Sequence, residues 1–350
     1  MTEIEILTVN ESKRWGELIN DLPQKDIHFT SQYAQLFENY LKHKALLFVF
    51  KENDNVILYP FFIRKINDIE IFKDIEKEVF DIISPWYYGG PVSNITDKSR
   101  EKEIFQNFTA EFGNFCRSEK IVSEFCRMHP FFKNHDNFSA PELEMNRKVV
   151  YIDLKKTKEE IWNSFKKVNR KAIRKAEKGG IDISITNNKS GIKKFYDIYT
   201  NSMERKEAGK FYFFNIEFFN DMFELLKDSA TIFFAEHGGN VIVASLVLHK
   251  HGIAHDYLRG SDPEFLHMRP NNLIVKEIAL WAKDNGNEIF DLGGGTSTDT
   301  NDPKLRFKSL FSKDRKRFFI YKKIHNKSVY DELCKKQCNI TGNFPLYRCV

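Results

Sequence analysis

Long apolar runs, paired cysteines and established catalytic signatures are all scarce in this 350-residue sequence. The longest apolar stretches, Ala45–Phe50 and Val56–Ile63, fall far short of the ~18–20 residues a helix needs to cross a bilayer. The opening MTEIEILTVNESKRW has no basic segment followed by an apolar one, so no secretory signal is expected. Five cysteines (Cys116, Cys126, Cys334, Cys338 and Cys349) form no CxxC pair. An odd count of this kind fits free thiols in a reducing, cytoplasmic setting. Cys334 and Cys338 could share a helix face, but two ligands do not make a zinc site. No GxSxG elbow, no papain- or caspase-type cysteine, no GK[ST] after a glycine loop and no GxGxxG occurs. A nucleophilic-triad hydrolase, a Walker nucleotidase and a dinucleotide enzyme therefore lack support. Charge of one sign is not in large excess either: 54 Lys and Arg face 49 Asp and Glu, a net of +5.

What is present is a folded chain. Apolar residues make up 41% and charged residues 29%, with 33 phenylalanines to fill cores. The length corresponds to about two domains. The sequence also repeats itself. Leu47–Lys65 (LFVFKENDNVILYPFFIRK) and Ile232–Lys250 (IFFAEHGGNVIVASLVLHK) align without a gap. Each reads as a strand, a polar turn (Asn53-Asp54 or Gly238-Gly239) and a second strand, which points to duplication.

The second half predicts a clear element order. Val149–Leu154 reads as a strand. Thr157 and Glu160 form a capping box that opens one helix running to Gly179-Gly180. A strand at Ile181–Thr186, helices near Ile192–Glu207 and Ile216–Lys227, and strands at Thr231–Glu236, Val241–His249 and Ile253–Arg259 follow. A helix at Asn271–Asp284, a buried strand at Glu288–Leu292, a short helix near Lys304–Phe311 and a strand near Arg317–Lys323 close the unit. This order resembles an N-acyltransferase fold of the GNAT type. In the first half, strands near Glu3–Val9, Ala45–Lys51, Asn55–Lys65 and Ile121–Phe125 accompany helices near Ser31–Lys42 and Thr96–Glu119. The expectation is an α/β chain with mixed sheets and two tandem GNAT-like domains, residues 1–146 and 147–325, with a C-terminal tail and helix at 326–350.

The modest net charge is unevenly placed. Asp153–Lys178 carries ten basic and four acidic residues, and Pro303–Lys323 nine basic and one acidic, leaving a net of −9 elsewhere. One such run can be a solvated helix face. Two in the same half suit a polyanionic ligand: a nucleotide diphosphate, a CoA pyrophosphate or a tRNA backbone. Phe290–Phe311 (FDLGGGTSTDTNDPKLRFKSLF) is the other dense region. Its glycines either admit a ligand close to the backbone or simply make a turn. Lys308, between Phe307 and Phe311, is placed to stabilise charge developing on a carbonyl oxygen, if it is not an ordinary exposed lysine. His249, His251 and His255 read as solvent-facing residues of a hairpin, and no metal site is expected.

Four stretches together resemble the Fem family of aminoacyl-tRNA-dependent peptide-bridge transferases and their FemAB-like relatives. They are the strand and basic helix Tyr151–Gly180, the helix pair Tyr199–Phe219 with its central arginine, HDYLRGS (His255–Ser261), and FDLGGG with LRFKSLF. In the first half the resemblance covers only the layout and Gly89-Gly90-Pro91. It implies that Lys308, with Phe307, sits at the acyl-transfer point. It implies that Arg205 and Tyr257 contact a phosphate-bearing acceptor and that Arg170 and Arg174 add positive potential. Arg259, Ser261 and Gly294 complete the expected substrate-binding set, and Asp256, Asp291 and His255 are base candidates by position. The coiled-coil arm of several members is absent, and the N-terminal lysine that helps bind the acceptor diphosphate has no clear match near Phe29–Tyr40.

The acyl donor is expected as a co-substrate, not a bound cofactor. A CoA-dependent GNAT domain carries a glycine-rich pyrophosphate loop, whereas GSDPEFLHMRPNNLIVKE stands in its place here. An aminoacyl-tRNA or carrier-bound acyl group therefore suits the chain better than acyl-CoA. The expected activity is N-acyl transfer to an amine of an anionic acceptor, such as a nucleotide-linked sugar or a peptidoglycan precursor. The alternatives are a CoA-dependent sugar N-acetyltransferase and a non-catalytic anion- or RNA-binding module.

Overall fold

The computed structural model describes residues 2–299, 301–337 and 344–348. The chain divides into two compact units: Met1–Asn146 with Phe318–Val350, and Arg147–Arg317.

The first unit opens with β1 (Thr2–Thr8), α1 (Ser12–Asn20) and α2 (Ser31–Leu41). Then come β2 (Lys44–Glu52), β3 (Asn55–Lys65), β4 (Phe80–Ile83), β5 (Val92–Ser93), α3 (Lys98–Ser118) and β6 (Ile121–Arg127). β1 to β4 pair antiparallel in sequence order, and β4 then pairs β6 in parallel. Successive strand side chains alternate between faces. Phe48, Phe50, Tyr59 and Phe61 accordingly meet Phe108 and Phe112 of α3 in one aromatic core.

The second unit contains β7 (Leu143–Asp153), α4 (Lys158–Ser164), α5 (Lys167–Lys178), β8 (Asp182–Thr186), α6 (Ile192–Arg205) and α7 (Ile216–Leu226). It continues with β9 (Ala230–His237), β10 (Asn240–Lys250), β11 (Ile253–Ser261), α8 (Pro270–Asp284), β12 (Ile289–Gly293) and α9 (Pro303–Lys308). Its strands run in the order β7-β12-β11-β10-β9-β8. α5 and α8 pack over them around Ile173, Leu273 and Ile278.

β13 (Arg315–Ile324) and α10 (Lys327–Lys336) follow. Sequence pattern alone places residues to 325 in the second unit and reads the rest as a tail. Instead, β13 pairs antiparallel with β6, Ile320 opposite Arg127. α10 and Tyr347 enter a core with Phe72, Val79 and Val122 of the first unit.

The two aligned hairpins are β2–β3 and β9–β10. Both close on two-residue turns, Glu52 facing Asn55 and His237 facing Asn240. Asn53, Gly238 and Gly239 supply the positive φ such turns demand. One expected element divides. The helix from Thr157 stops at Ser164 and restarts at Lys167, because Phe165 and Lys166 are extended. Phe165 is pulled into the core against Phe311 (5.4 Å), and the Lys166 N–H donates to the Leu310 carbonyl (2.9 Å). Tertiary contacts outweigh the helical pattern at this point.

Candidate functional site

β11 and β12 are parallel partners only briefly. Ile253, Ala254 and His255 face Ile289, Phe290 and Asp291, and the pairing ends there. β12 then bulges towards β7, with Gly293 opposite Val150. At this divergence Gly293 takes a φ of +72°, and its N–H donates to Asp291 Oδ1 (2.8 Å). The next residues lie close against neighbouring side chains. A Cβ on Gly294 would fall 2.8 Å from Arg147 Cδ, and one on Gly295 2.6 Å from Asp302 Cγ. The glycines are therefore required by the packing of the loop itself.

Asp302 organises this loop. One oxygen accepts from Leu305 N (3.0 Å), capping α9. The other accepts from Thr296 N (2.9 Å) and Oγ1 (2.6 Å) and from Ser297 N (3.0 Å) and Oγ (3.3 Å). The Thr296 hydroxyl above all, against the opposing effect of desolvation and with help from the backbone N–H groups, holds the carboxyl far below the ordinary range. The Asp-Pro pair before α9 was a readable N-terminal signal, but the reach back to Thr296 was not.

α9 delivers Lys308. Its Nζ donates to the Gly294 carbonyl (2.8 Å), closing loop and helix onto each other. Burial presses the ammonium down to about 8; Asp256 and Asp291 counteract this, while Arg259 and Lys304 add to it. Phe307 packs edge-on against Phe311 (5.4 Å) at the margin of the core. Further cations crowd the same region. Desolvation first, then the charges of Lys304, Arg205 and Arg259, press Lys206 down to about 8. Lys206 and Lys304 were not singled out from sequence.

The other expected residues divide into two groups. Asp256 Oδ1 accepts from Arg259 Nη2 (2.6 Å) and from Ser245 Oγ (3.2 Å), leaving Oδ2 without a protein partner among the described residues. Arg205 Nη2 donates to the Ser261 carbonyl (3.0 Å) and lines a groove of about 480 Å³ with Asn201, Asn240 and Asp262. Tyr257 is buried. Ser261 turns its hydroxyl to Asn271 (3.2 Å) and so braces β11 against α8. Arg170 donates to the carbonyls of Asn163 and Phe165, tying off the end of α4, and Arg174 lies over the Trp162 ring (5.4 Å). Both arginines are engaged by their own helical region and keep their charge, which still adds to the positive potential there.

The histidines are corrected. His255 is fully buried, its Nδ1 3.3 Å from Asp291 Oδ2. His249 meets Thr231 Oγ1 (3.1 Å) and the edge of Trp281, and burial pushes it down to about 4 despite Asp228. Among the described residues the one convergent metal-type set is elsewhere, at Asp26, His28 and His129 in the first unit. His28 Nδ1 and His129 Nε2 lie 2.7 and 2.9 Å from Asp26 Oδ2. The Phe131 N–H donates to His129 Nδ1 (3.3 Å), placing the proton on Nε2, where it bonds the carboxylate. The trio thus reads as a hydrogen-bonded tie. Cys116 and Cys126 are buried, and Cys334 is partly so. Cys338 and Cys349 lie outside the described residues.

Two side chains of the first turn of α8 are engaged by neighbouring protein groups. Asn271 takes the Ser261 hydroxyl, and Asn272 donates to Asn169 (2.8 Å).

Asp302→Ala is expected to cost about 1–2 kcal/mol through the lost cap. Hydrogen exchange at residues 294–308 should accelerate locally. Unchanged exchange there would contradict the anchoring role.

Residues 163–309 match a family model described as an acetyltransferase (GNAT) domain. A UDP-N-acetylmuramoylpentapeptide-lysine N(6)-alanyltransferase of Weissella viridescens is 28% identical over 166 residues, 47% of this chain and 48% of that protein. The match therefore spans about half the length of this curated relative. Among solved structures, FemX superposes with a TM-score of 0.72 at 14% identity, over 94% of this chain and 99% of that one. The C-terminal domain of a putative lysylphosphatidylglycerol synthetase from Agrobacterium fabrum gives 0.53 at 12% identity, over 92% of each. At these identities the structural likenesses establish the fold.

Proposed function

We propose that this chain, a FemAB-like protein with a GNAT-type domain in its second half, is an N-acyltransferase. In this reading it moves an aminoacyl group from aminoacyl-tRNA to an amine of a cell-wall precursor. The observation that carries the reading is Lys308. Its ammonium is held by the Gly294 carbonyl at the point where β11 and β12 part, amid the charges of Arg259, Lys304 and Asp256. The matched alanyltransferase names a lysine amine of a UDP-linked muramoylpentapeptide as acceptor, and an acceptor of that class suits the surrounding cations.

The amine attacks the ester carbonyl carbon, forming the C–N bond as the carbonyl π pair moves to oxygen. Lys308 stabilises that oxyanion. The C–O bond to the tRNA 3′ end then breaks, and the released alkoxide takes up a proton as amide forms. Asp291 and His255 are fully buried and bonded to each other. Asp256, with Oδ2 open, is therefore assigned to receive the amine proton. The stretch before α8, GSDPEFLHMRPNN, lacks a glycine-rich pyrophosphate loop, which favours tRNA over CoA as donor. Precursor and donor are both cytoplasmic species, in keeping with the free thiols.

The test is a transfer assay pairing aminoacyl-tRNAs and acyl-CoAs with UDP-linked muramoylpentapeptide and amino-sugar nucleotides. Transfer from acyl-CoA alone would overturn the donor assignment, and no transfer to either acceptor class would overturn the reading. Within it, Arg205→Ala is expected to raise the acceptor KM about tenfold or more, the loss of one charge-assisted contact, while kcat changes little. A kcat loss with unchanged KM would remove Arg205 from acceptor binding.

A further inference from the structure

The first unit contains a cavity of about 400 Å³ that the proposed reaction leaves without a role. It lies along α3. In the second unit α5 packs beside α8, but no helix of the first unit covers α3 in that way among the described residues. The walls are aromatic: Tyr59, Phe108, Phe112, Phe138 and Tyr321. Glu124 also lines it and is only 3% exposed. Its carboxylate accepts from Tyr59 OH (2.6 Å) and is met by His325 Nε2 (3.0 Å). Neither partner is a permanent cation. Burial first, and then the charge of Glu124, holds the Cys126 thiol up at about 12. A buried carboxylate among aromatic faces, with open space beside it, suits an ammonium group, because ring faces and carboxylate both attract a cation.

Arg117 and Lys323 also line the cavity. Both are basic, so one ligand can present an ammonium to Glu124 and an anion to the arginine and lysine. Gly113 sits mid-helix in the same wall, although glycine weakens a helix interior. A Cβ there would meet only Arg117 Nη1, at 3.7 Å. Packing therefore does not demand glycine, and a larger side chain would enter the cavity.

We propose that this cavity of the first unit binds a small zwitterion, its ammonium against Glu124 and the aromatic walls and its anionic group at Arg117 and Lys323. A free amino acid and a phosphorylated amino alcohol share this chemistry.

Calorimetry and thermal-shift measurements on the full chain test it. The probes are alanine, leucine, lysine, phosphorylethanolamine and phosphorylcholine, with propionate and tetramethylammonium as single-charge controls. The expected result is saturable binding of at least one zwitterion with a Kd below about 1 mM, and weaker or absent binding of both controls. The amino-acid and phosphoryl arms identify the source. Glu124→Gln should weaken binding at least tenfold. Gly113→Leu, which favours the helix and fills the space, should abolish it while the protein stays folded. Binding of no zwitterion to the wild type, or undiminished binding to folded Gly113→Leu, would overturn the proposal. Neither outcome bears on acyl transfer, which is assayed separately.

Discussion

Lys308→Ala is expected to lower kcat by about 100- to 1000-fold, the usual cost of removing one donor to a developing oxyanion, with KM little changed. The pH profile supplies a second reading. Burial, with Arg259 and Lys304 adding to it and Asp256 and Asp291 opposing, sets this ammonium at about 8. In the proposed reaction it is the charged form that stabilises the oxyanion, so activity should fall as pH rises through about 8. Stability should move the other way. The folded-state value lies below the ordinary lysine value of 10.5. Between the two, the unfolded chain holds a proton that the folded chain has released, so stability rises with pH across that window. Keeping the ammonium charged at pH 7 costs roughly 3 kcal/mol, offset by about 1 kcal/mol for its bond to Gly294. Lys308→Met is therefore expected to be inactive and about 1–2 kcal/mol more stable. A variant that loses activity and stability together would indicate that the lysine only supports the loop.

Asp81→Ala is expected to destabilise the first unit by about 3–5 kcal/mol, the range for removing one partner of a buried ion pair. Asp81 is fully buried. Its Oδ1 accepts from Arg64 Nε (2.7 Å), and its Oδ2 accepts from Arg348 Nε and Tyr347 OH (3.0 Å). Burial raises this carboxyl, but the two guanidinium groups outweigh burial and hold it below its ordinary value. Its contribution is then complete above the unfolded value of about 4 and is lost as pH falls through the lower folded value. Urea melts at pH 7 and below pH 4 test both parts. The gap between wild type and Asp81→Ala should be wide at pH 7 and narrow in acid. Equal gaps at both would show that the pair's charge is not what stabilises the unit. Arg348→Ala should cost less, because Arg64 remains to neutralise the carboxylate.

The two predictions concern residues of very different legibility. Lys308 stood out by its place between Phe307 and Phe311 after a glycine run, all within one short stretch. Asp81 gave no such sign. It lies in the four-residue strand β4, too short to show a strand pattern, and its partners come from β3 and from the far end of the chain. Asp302 falls between these cases: its capping role was readable from the following proline, its hold on Thr296 and Ser297 was not. Arg170 and Arg174 mark the opposite difficulty. Their basic helix is as expected, but helical periodicity does not reveal that Phe165 breaks it or that Trp162 and two carbonyls take up the arginines.

By itself, then, the sequence determined what is encoded over short separations. The paired hairpins were legible because two-residue turns and alternating strands impose their own register. The glycine loop and the concentration of basic charge in one half were legible for the same reason. Only the tertiary structure decided where β13 and the residues after it belong. Ile320 finds Arg127 as its partner, and Tyr347 finds Ser123 and Asp81, across most of the chain. Contacts of such separation are selected by the burial and charge pairing they complete after the loop is closed. No local pattern in the sequence announces them.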